Sequence, residues 1–243
     1  MKRLVIAVVL LVMILPACNK DDQLPQWTGI GTIEKPDANL DDFTIVLDGD
    51  EKLIPSSSIS GNNLEDGERV IVQYEIIEEL GNDEYKIRLY DLDRILTKNI
   101  FQLTEATNDS IGDDPVFVKD DNIWIKDNYL NFIFSYYGAY EVHMVNLVKL
   151  YEATYTEDGK LILEFRHNSN DDFSSVLLNG VVSFDLESLK EEGMDSIDFL
   201  VKVNLYDSEP MEWEGSYTFN TPLKSKSFVT KNRIFSNPLV KLK

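Results

Sequence analysis

Both histidines of the chain stand where an imidazole could do chemistry. His143 lies in an apolar run, residues 142–150, and His167 precedes the polar loop 168–172. A hydrogen bond from His167 to an aspartate of that loop would fix the tautomer of the ring, as in catalytic dyads. The same bond would equally pin the loop to a sheet edge, and the sequence pairs no nucleophile with His167. We therefore expect His143 to be a hydrogen-bonded core histidine and predict no catalytic residue.

The loop 168–172 reads Asn-Ser-Asn-Asp-Asp and offers only oxygen ligands, which suit calcium among the common metals. Its spacing is not that of a known calcium loop, and Asn and Asp are ordinary turn residues. The sequence also lacks the glycine-rich, phosphate-loop, zinc-protease and nucleophile-elbow motifs. We predict no metal and no cofactor.

Three tyrosines surround a glycine in the segment 136–140. Tyr136, Tyr137 and Tyr140 combine apolar area with hydrogen-bonding hydroxyls, a composition favoured at binding surfaces. Aromatic residues of a β-protein also pack in the core or at sheet ends. The segment is the candidate ligand surface of the chain.

Paired carboxylates would suit glycoside hydrolysis, and 43 acidic residues make such pairs easy to find. Glu212 and Glu214 alternate with apolar residues and are expected on a solvent face, where a raised pKa is not favoured. A hydrolase therefore stands as the alternative function.

The N-terminus has the layout of a secretory signal. Lys2 and Arg3 precede an apolar run, residues 4–15, which is shorter than the roughly 20 residues of a membrane-spanning helix. The segment 15–18, Leu-Pro-Ala-Cys, resembles a bacterial lipobox, and Cys18 is the only cysteine of the chain. From this pattern we predict that residues 1–17 are a lipoprotein signal peptide and that Cys18 is lipidated. A lipobox cysteine acquires more than one acyl chain, and two chains give stable anchoring in a membrane.

Residues 18–26 are polar and predict a tether. Within it, Lys20-Asp21-Asp22 resembles a signal that sends some Gram-negative lipoproteins to the outer leaflet. We expect an outer-membrane protein on the cell surface, with a periplasm-facing anchor as the alternative. The partner at this end is the membrane, reached through the lipid.

The formal net charge is −20 at pH 7. Such a charge repels nucleic acid, whose binding depends on neutralising phosphates with Lys and Arg. It also repels anionic headgroups, so the lipid must hold the protein at the membrane. We predict no nucleic-acid partner.

Residues 27–97 show the two-residue alternation of half-buried strands. About five strands in about 70 residues fit a small OB-type barrel. Residues 98–114 are rich in polar and turn residues and predict a linker. Residues 115–243 return to alternation and predict a β-sandwich, with a short helix that Asp185 caps and Gly193 ends. The expected fold is all-β, a small OB-type barrel followed by a β-sandwich.

One serine in the linker is a candidate modification site. Asp109-Ser110-Ile111 and Asp195-Ser196-Ile197 resemble the Asp-Ser/Thr-apolar tripeptide of some Gram-negative O-glycosylation systems. Ser110 falls in the expected exposed connection, whereas Ser196 opens a strand, so we expect O-glycosylation at Ser110.

The whole pattern resembles the NigD-like family of lipoproteins. The resemblance is carried by the segments 127–132, 143–147, 163–168 and 193–197. The resemblance implies an N-terminal OB domain and a C-terminal β-sandwich. The name of the family derives from a bacteriocin-associated gene cluster. The resemblance supplies no functional residues.

Three functions remain open. The leading hypothesis is a non-enzymatic binding module of the envelope, for an envelope protein or a glycan, with envelope protection or bacteriocin immunity as one version. The alternatives are a surface hydrolase of polysaccharide or peptide, and a structural subunit of a surface assembly. Two facing carboxylates in a cleft would favour the hydrolase, and a broad exposed apolar patch would favour assembly.

Overall fold

A computed structural model of the chain describes residues 26–35, 42–57, 64–152, 154–172 and 175–219. The signal peptide, Cys18 and most of the tether lie outside these residues. Among the described residues, no helix is long and apolar enough to cross a membrane.

The first five strands form a closed barrel in the order β1-β2-β3-β5-β4. Their bounds are β1 Gln26–Glu34, β2 Thr44–Leu47, β3 Lys52–Pro55, β4 Arg69–Gly81 and β5 Glu84–Arg94. The alternating side chains that the sequence placed on one face fill the barrel, among them Ile33, Ile45, Val70, Val72 and Ile87. The barrel prediction is confirmed.

Two further sheets pack as a sandwich, with orders β14-β13-β11-β10-β7 and β6-β12-β9-β8. The strands are β6 Leu96–Asn99, β7 Phe101–Gln102, β8 Ile123–Lys126, β9 Tyr129–Tyr137, β10 Met144–Lys149, β11 Leu161–Asn168, β12 Leu177–Asp185, β13 Ser196–Val203 and β14 Met211–Thr218. Aromatic rings fill the space between the sheets, with Phe132 and Phe165 at 4.7 Å between centroids. The sandwich prediction is confirmed as well.

The stretch 98–114 differs from the expected linker. It contains the second half of β6, which pairs with β12, then β7, which pairs with β10, and the helix α1 Glu105–Ile111. Leu103 is buried and Ile100 packs against the sandwich core. These apolar side chains draw the segment into the second domain despite its polar composition.

The short helix after β12 begins as predicted. Residues Leu186–Leu189 form a 3-10 helix, and the carboxylate of Asp185 accepts the N–H of Glu187 at 3.0 Å. The helix ends at Leu189 and not at Gly193, because Lys190 already has an extended backbone conformation.

A buried polar network joins the barrel to the sandwich. The guanidinium of Arg69 on β4 binds both carboxylate oxygens of Asp48, at 2.6 and 2.7 Å. From the sandwich, Trp124 Nε1 donates to Asp48 at 2.8 Å and Asn131 Oδ1 accepts from Arg69 at 2.9 Å. Next to it, an apolar cluster contains Ile30, Ile71, Ile95, Ile133 and Val181. Thus the second domain covers the outward side chains at the start of β4, Arg69 and Ile71.

Candidate functional site

Four loops meet at one end of the sandwich, and we call them the tyrosine end. The pairing register places them together, because Tyr137 lies opposite Leu177, Met144 opposite Asn168 and Val203 opposite Met211. The tyrosine end comprises the described residues 113–117, 137–143, 169–172, 175–176 and 204–210.

Asp172 holds the loop after β9. Its Oδ2 atom accepts the consecutive amides of Ala139 at 2.6 Å, Tyr140 at 2.8 Å and Glu141 at 3.1 Å. These amides, with that of Ala139 first, lower the pKa of Asp172 to about 2 against the opposing effect of burial. The loop is therefore fixed by one ionised carboxylate.

The two histidines lie directly beneath that loop. His143 Nδ1 and His167 Nε2 lie 2.8 Å apart, and His143 Nε2 lies 3.4 Å from Asp172 Oδ2. The predicted core role of His143 is confirmed. The aspartate of the loop 168–172 is bonded by His143 and not by His167, which contacts His143 instead.

Burial sets the protonation of His167. Desolvation first, and the neighbouring His143 second, lower its pKa to about 4, although Asp114 and the nearby backbone of Asp114 and Pro115 act in the opposite direction. Its Nδ1 atom makes no hydrogen bond of normal geometry among the described residues. The ring is therefore neutral near pH 7.

The histidine cluster is closed to substrates. His143 is 3% exposed and His167 is 1% exposed. The ring of Tyr136 covers both, at 4.5 and 5.3 Å between centroids. At Gly138 a Cβ atom would lie 2.6 Å from His143 Nε2, so the glycine lets the loop approach the imidazole. The histidine cluster therefore serves to hold the loop after β9 in place.

A second carboxylate fixes the neighbouring loops. Asp114 Oδ2 accepts the N–H and the hydroxyl of Ser169, at 2.7 and 2.6 Å. Burial alone would raise the pKa of Asp114, but these bonds hold it below its usual value. The four loops therefore form a connected frame.

Of the three tyrosines in the candidate surface, two are exposed. Tyr140 is 90% exposed and Tyr137 is 37% exposed, whereas Tyr136 is buried against the histidines. Tyr136 therefore supports the surface from inside and does not belong to it. Strand alternation explains the split, because neighbouring residues of β9 face opposite sides.

Sequence reasoning missed two aromatic residues of this surface. Phe117 stacks on Tyr206 at 4.5 Å, and Tyr137 packs edge-on against Phe117 at 5.5 Å and Tyr206 at 5.4 Å. The bridge between Val116 and Leu205 brings the two segments together across nearly 90 residues of sequence. No local signal in the sequence indicates that contact.

An open cleft beside this end is lined by two carboxylates, Asp113 and Glu164. It is lined by Asp113, Glu164, Arg166, Lys202, Asn204 and Pro210, among others. Arg166 binds Glu164 at 2.5 Å and Asp113 at 3.6 Å. Burial raises the pKa of Asp113 against the effect of Arg166. The guanidinium between the carboxylates makes this an ion cluster.

The remaining predicted sites divide between described and undescribed residues. Ser110 is exposed in α1, where its hydroxyl donates to the carbonyl of Thr107 at 2.9 Å. Cys18 lies outside the described residues. Within the described ranges, no group of three or more His, Cys, Asp or Glu side chains is placed to hold a metal ion.

Comparison with known proteins identifies the family. Residues 30–95 match the NigD-like N-terminal OB domain and residues 99–218 match the NigD-like C-terminal β-sandwich domain. These matches cover more than half of the chain, so the chain belongs to the NigD-like family. No curated protein matches it.

Solved structures agree with this assignment. A protein of unknown function from Bacteroides vulgatus is 30% identical, with a TM-score of 0.66 over 86% of this chain and 97% of that chain. A protein provisionally described as toxin-related, from Parabacteroides distasonis, is 27% identical, with a TM-score of 0.64 over 81% of this chain and 95% of that chain. A NigD-like immunity protein from Bacteroides caccae shares the fold, with 18% identity and a TM-score of 0.59 over 82% of this chain and 99% of that chain.

Proposed function

We propose that the chain is a lipid-anchored envelope protein that binds a partner without catalysing a reaction, and that the tyrosine end is its binding face. The observation that carries this proposal is the exposure of Tyr140, at 90%, on a loop whose amides are held by Asp172. An exposed aromatic side chain on a fixed backbone loses little conformational freedom on binding. Its partner is an envelope protein or glycan.

The specific version is immunity, meaning protection of the producing cell from a toxin. Support comes from family membership and from the Bacteroides caccae relative that is described as a NigD-like immunity protein. A cell that lacks the chain should then be killed by a toxin-producing neighbour that spares the parent strain. Equal survival of both strains would contradict the immunity version and leave the binding proposal standing.

Photo-crosslinking on intact envelopes tests the binding proposal. The double substitution Tyr137→Ser with Tyr140→Ser should abolish the crosslinked partner. Tyr151→Ser with Tyr155→Ser is the matched control, because both tyrosines are exposed and lie towards the opposite end of the sandwich. If the crosslinked partner is lost in both double variants, or is kept in both, the tyrosine end is not the binding face.

The anchor has its own test. Cys18→Ser should abolish incorporation of labelled fatty acid and release the protein from membranes. Replacing Lys20, Asp21 and Asp22 with Ala should remove lipidated protein from the protease-accessible pool of intact cells. Protein that resists protease on intact cells but not on lysed cells would indicate a periplasm-facing anchor in the outer membrane.

The hydrolase alternative is favoured by one observation, the raised pKa of Asp113 beside Glu164 in the open cleft. If the cleft were catalytic, Asp113→Asn and Glu164→Gln would each abolish release of sugars or peptides from envelope material. We expect no such release from the unaltered protein, because Arg166 contacts both carboxylates.

Ser110 is the proposed site of O-glycosylation. Its exposure supports access, and its place in α1 means that a transferase must act before folding or must open the last turn of the helix. Intact mass of protein from the native host should fall by one glycan in Ser110→Ala and stay unchanged in Ser196→Ala. A mass equal to that of the lipidated chain alone would contradict modification.

A further inference from the structure

The tyrosine end presents aromatic faces that are ready to stack. Phe117, Tyr137 and Tyr206 pack against one another, so each ring is held in place while part of it stays accessible. Tyr140 stands beside them with nearly its whole surface in solvent. Such rings attract cations through the negative electrostatic potential of their faces.

The loops around these rings are acidic. Residues 138–143, 168–172 and 204–210 contain carboxylates and no lysine or arginine. Four of the carboxylates are exposed, namely Glu141, Asp171, Asp207 and Glu209. Among the described residues, none of these four forms an ion pair with a lysine or arginine. These four carboxylates border the aromatic faces and are free to pair with the cations of a ligand.

The opposite end of the sandwich differs. There Lys149 binds Glu191 at 2.8 Å, and Lys160 binds Asp158 and Glu214, each at 2.8 Å. That end is also acidic in composition, and these three carboxylates there pair with lysines. Ion pairs with lysine therefore engage part of the charge at that end, whereas Glu141 and Asp207 at the tyrosine end form none among the described residues.

We propose that the tyrosine end binds a basic polypeptide segment, whose Arg and Lys side chains stack on Tyr137 and Tyr140 and pair with Glu141 and Asp207. This inference deepens the proposed binding function, rests on it, and names the chemistry of the partner. Tyr140 and Glu141 lie in one loop and Asp207 in another, so a ligand that engages both loops must present several cations along a chain. A polyanion is repelled by the same surface.

Titration with a short oligo-arginine peptide tests the inference on the mature, lipidated chain in a non-ionic detergent. The chain offers a matched control, because the dipeptide Tyr-Glu occurs at 140–141 and again at 151–152, and both copies are exposed. Tyr140→Ser with Glu141→Gln should weaken binding about tenfold, as expected of a residue central to an interface. Tyr151→Ser with Glu152→Gln should leave it within about twofold, as expected of non-specific surface charge.

Two results would overturn the inference. Equal weakening by both substitutions would mean that the peptide follows the overall charge of the protein. Binding of a neutral glucan or of oligo-glutamate at Tyr140, without binding of oligo-arginine, would mean that the face takes another class of ligand. In that second case crosslinking to the native partner would still depend on Tyr140, so the binding proposal would survive the loss of this inference.

Discussion

His143 Nδ1 and His167 Nε2 lie 2.8 Å apart, so one proton joins two buried imidazoles. A hydrogen bond between these atoms requires one ring to donate and the other to accept. Double protonation would make both atoms donors and would break the contact. The same pair lies under the loop that carries Tyr140, so protonation of the cluster is linked to the candidate binding face.

Acidification should destabilise the fold through His167. Its pKa is about 4 in the folded protein and about 6.5 in an unfolded chain. The unfolded state therefore binds the proton first as the pH falls, and stability is lost between about pH 6.5 and pH 4, by on the order of 3 kcal/mol. Urea unfolding at several pH values measures this slope.

His167→Gln is the control for that prediction, because an amide can replace one hydrogen bond and does not titrate. The slope between pH 6.5 and pH 4 should become smaller in this variant. An unchanged slope would show that other groups carry the acid sensitivity. Protonation of Asp172 should cause a further loss of stability at lower pH, because its pKa in the folded protein, about 2, lies below the usual carboxyl value.

Asp172→Asn should loosen the tyrosine end. The variant keeps the size of the side chain but removes the charge that three amides share, which costs about 1–3 kcal/mol. Hydrogen exchange of the amides of Ala139, Tyr140 and Glu141 should accelerate. Asp171→Asn is the control, because Asp171 is exposed, and asparagine tolerates its positive φ of 61°. If these amides are equally protected from hydrogen exchange in both variants, Asp172 does not hold the loop.

The sequence predicted those features that depend on local pattern. Alternation identified the strands of both domains, and the apolar run around His143 indicated its burial. In the Asp-Gly-Asp turn after β2, glycine is the residue type that most easily takes a positive φ, but Asp50 adopts it, at 75°. The local sequence allows either residue to take the positive φ, and the pairing of β2 with β3 decides which of them does.

Contacts between distant segments could not be predicted. Asp172 bonds to His143 because β10 and β11 pair in a particular register, which no spacing in the sequence reveals. Arg69 is the other example. It is a charged residue at the start of an alternating strand, where solvent exposure is the ordinary expectation. Its burial depends on Asp48 and on the docking of a second domain.

Arg69→Met should be strongly destabilising. The guanidinium is fully buried, and its loss leaves Asp48 without its main partner at the domain interface. Breaking a buried ion pair from one side costs about 3–5 kcal/mol. Arg94→Met is the control, because the ion pair of Arg94 with Glu68 is half exposed and should contribute less than about 1 kcal/mol. Similar losses in both variants, measured by chemical denaturation, would contradict a special role for the buried pair.

The buried network also predicts that the two domains unfold together, although each closes its own core. Asp48 on the barrel accepts from Trp124 on the sandwich, and Arg69 donates to Asn131, so separating the domains would break charged hydrogen bonds. Trp27 lies in the barrel and Trp213 in the sandwich, which allows each domain to be followed by fluorescence. Trp27→Phe and Trp213→Phe, both with Trp124 kept at the interface, leave signals that weight the two domains differently, and the two variants should show the same midpoint of unfolding. Adding Arg69→Met to both should separate the two midpoints, because each domain then unfolds by its own stability. Different midpoints before that substitution would show that the domains are independent and that the interface contributes little to their stability.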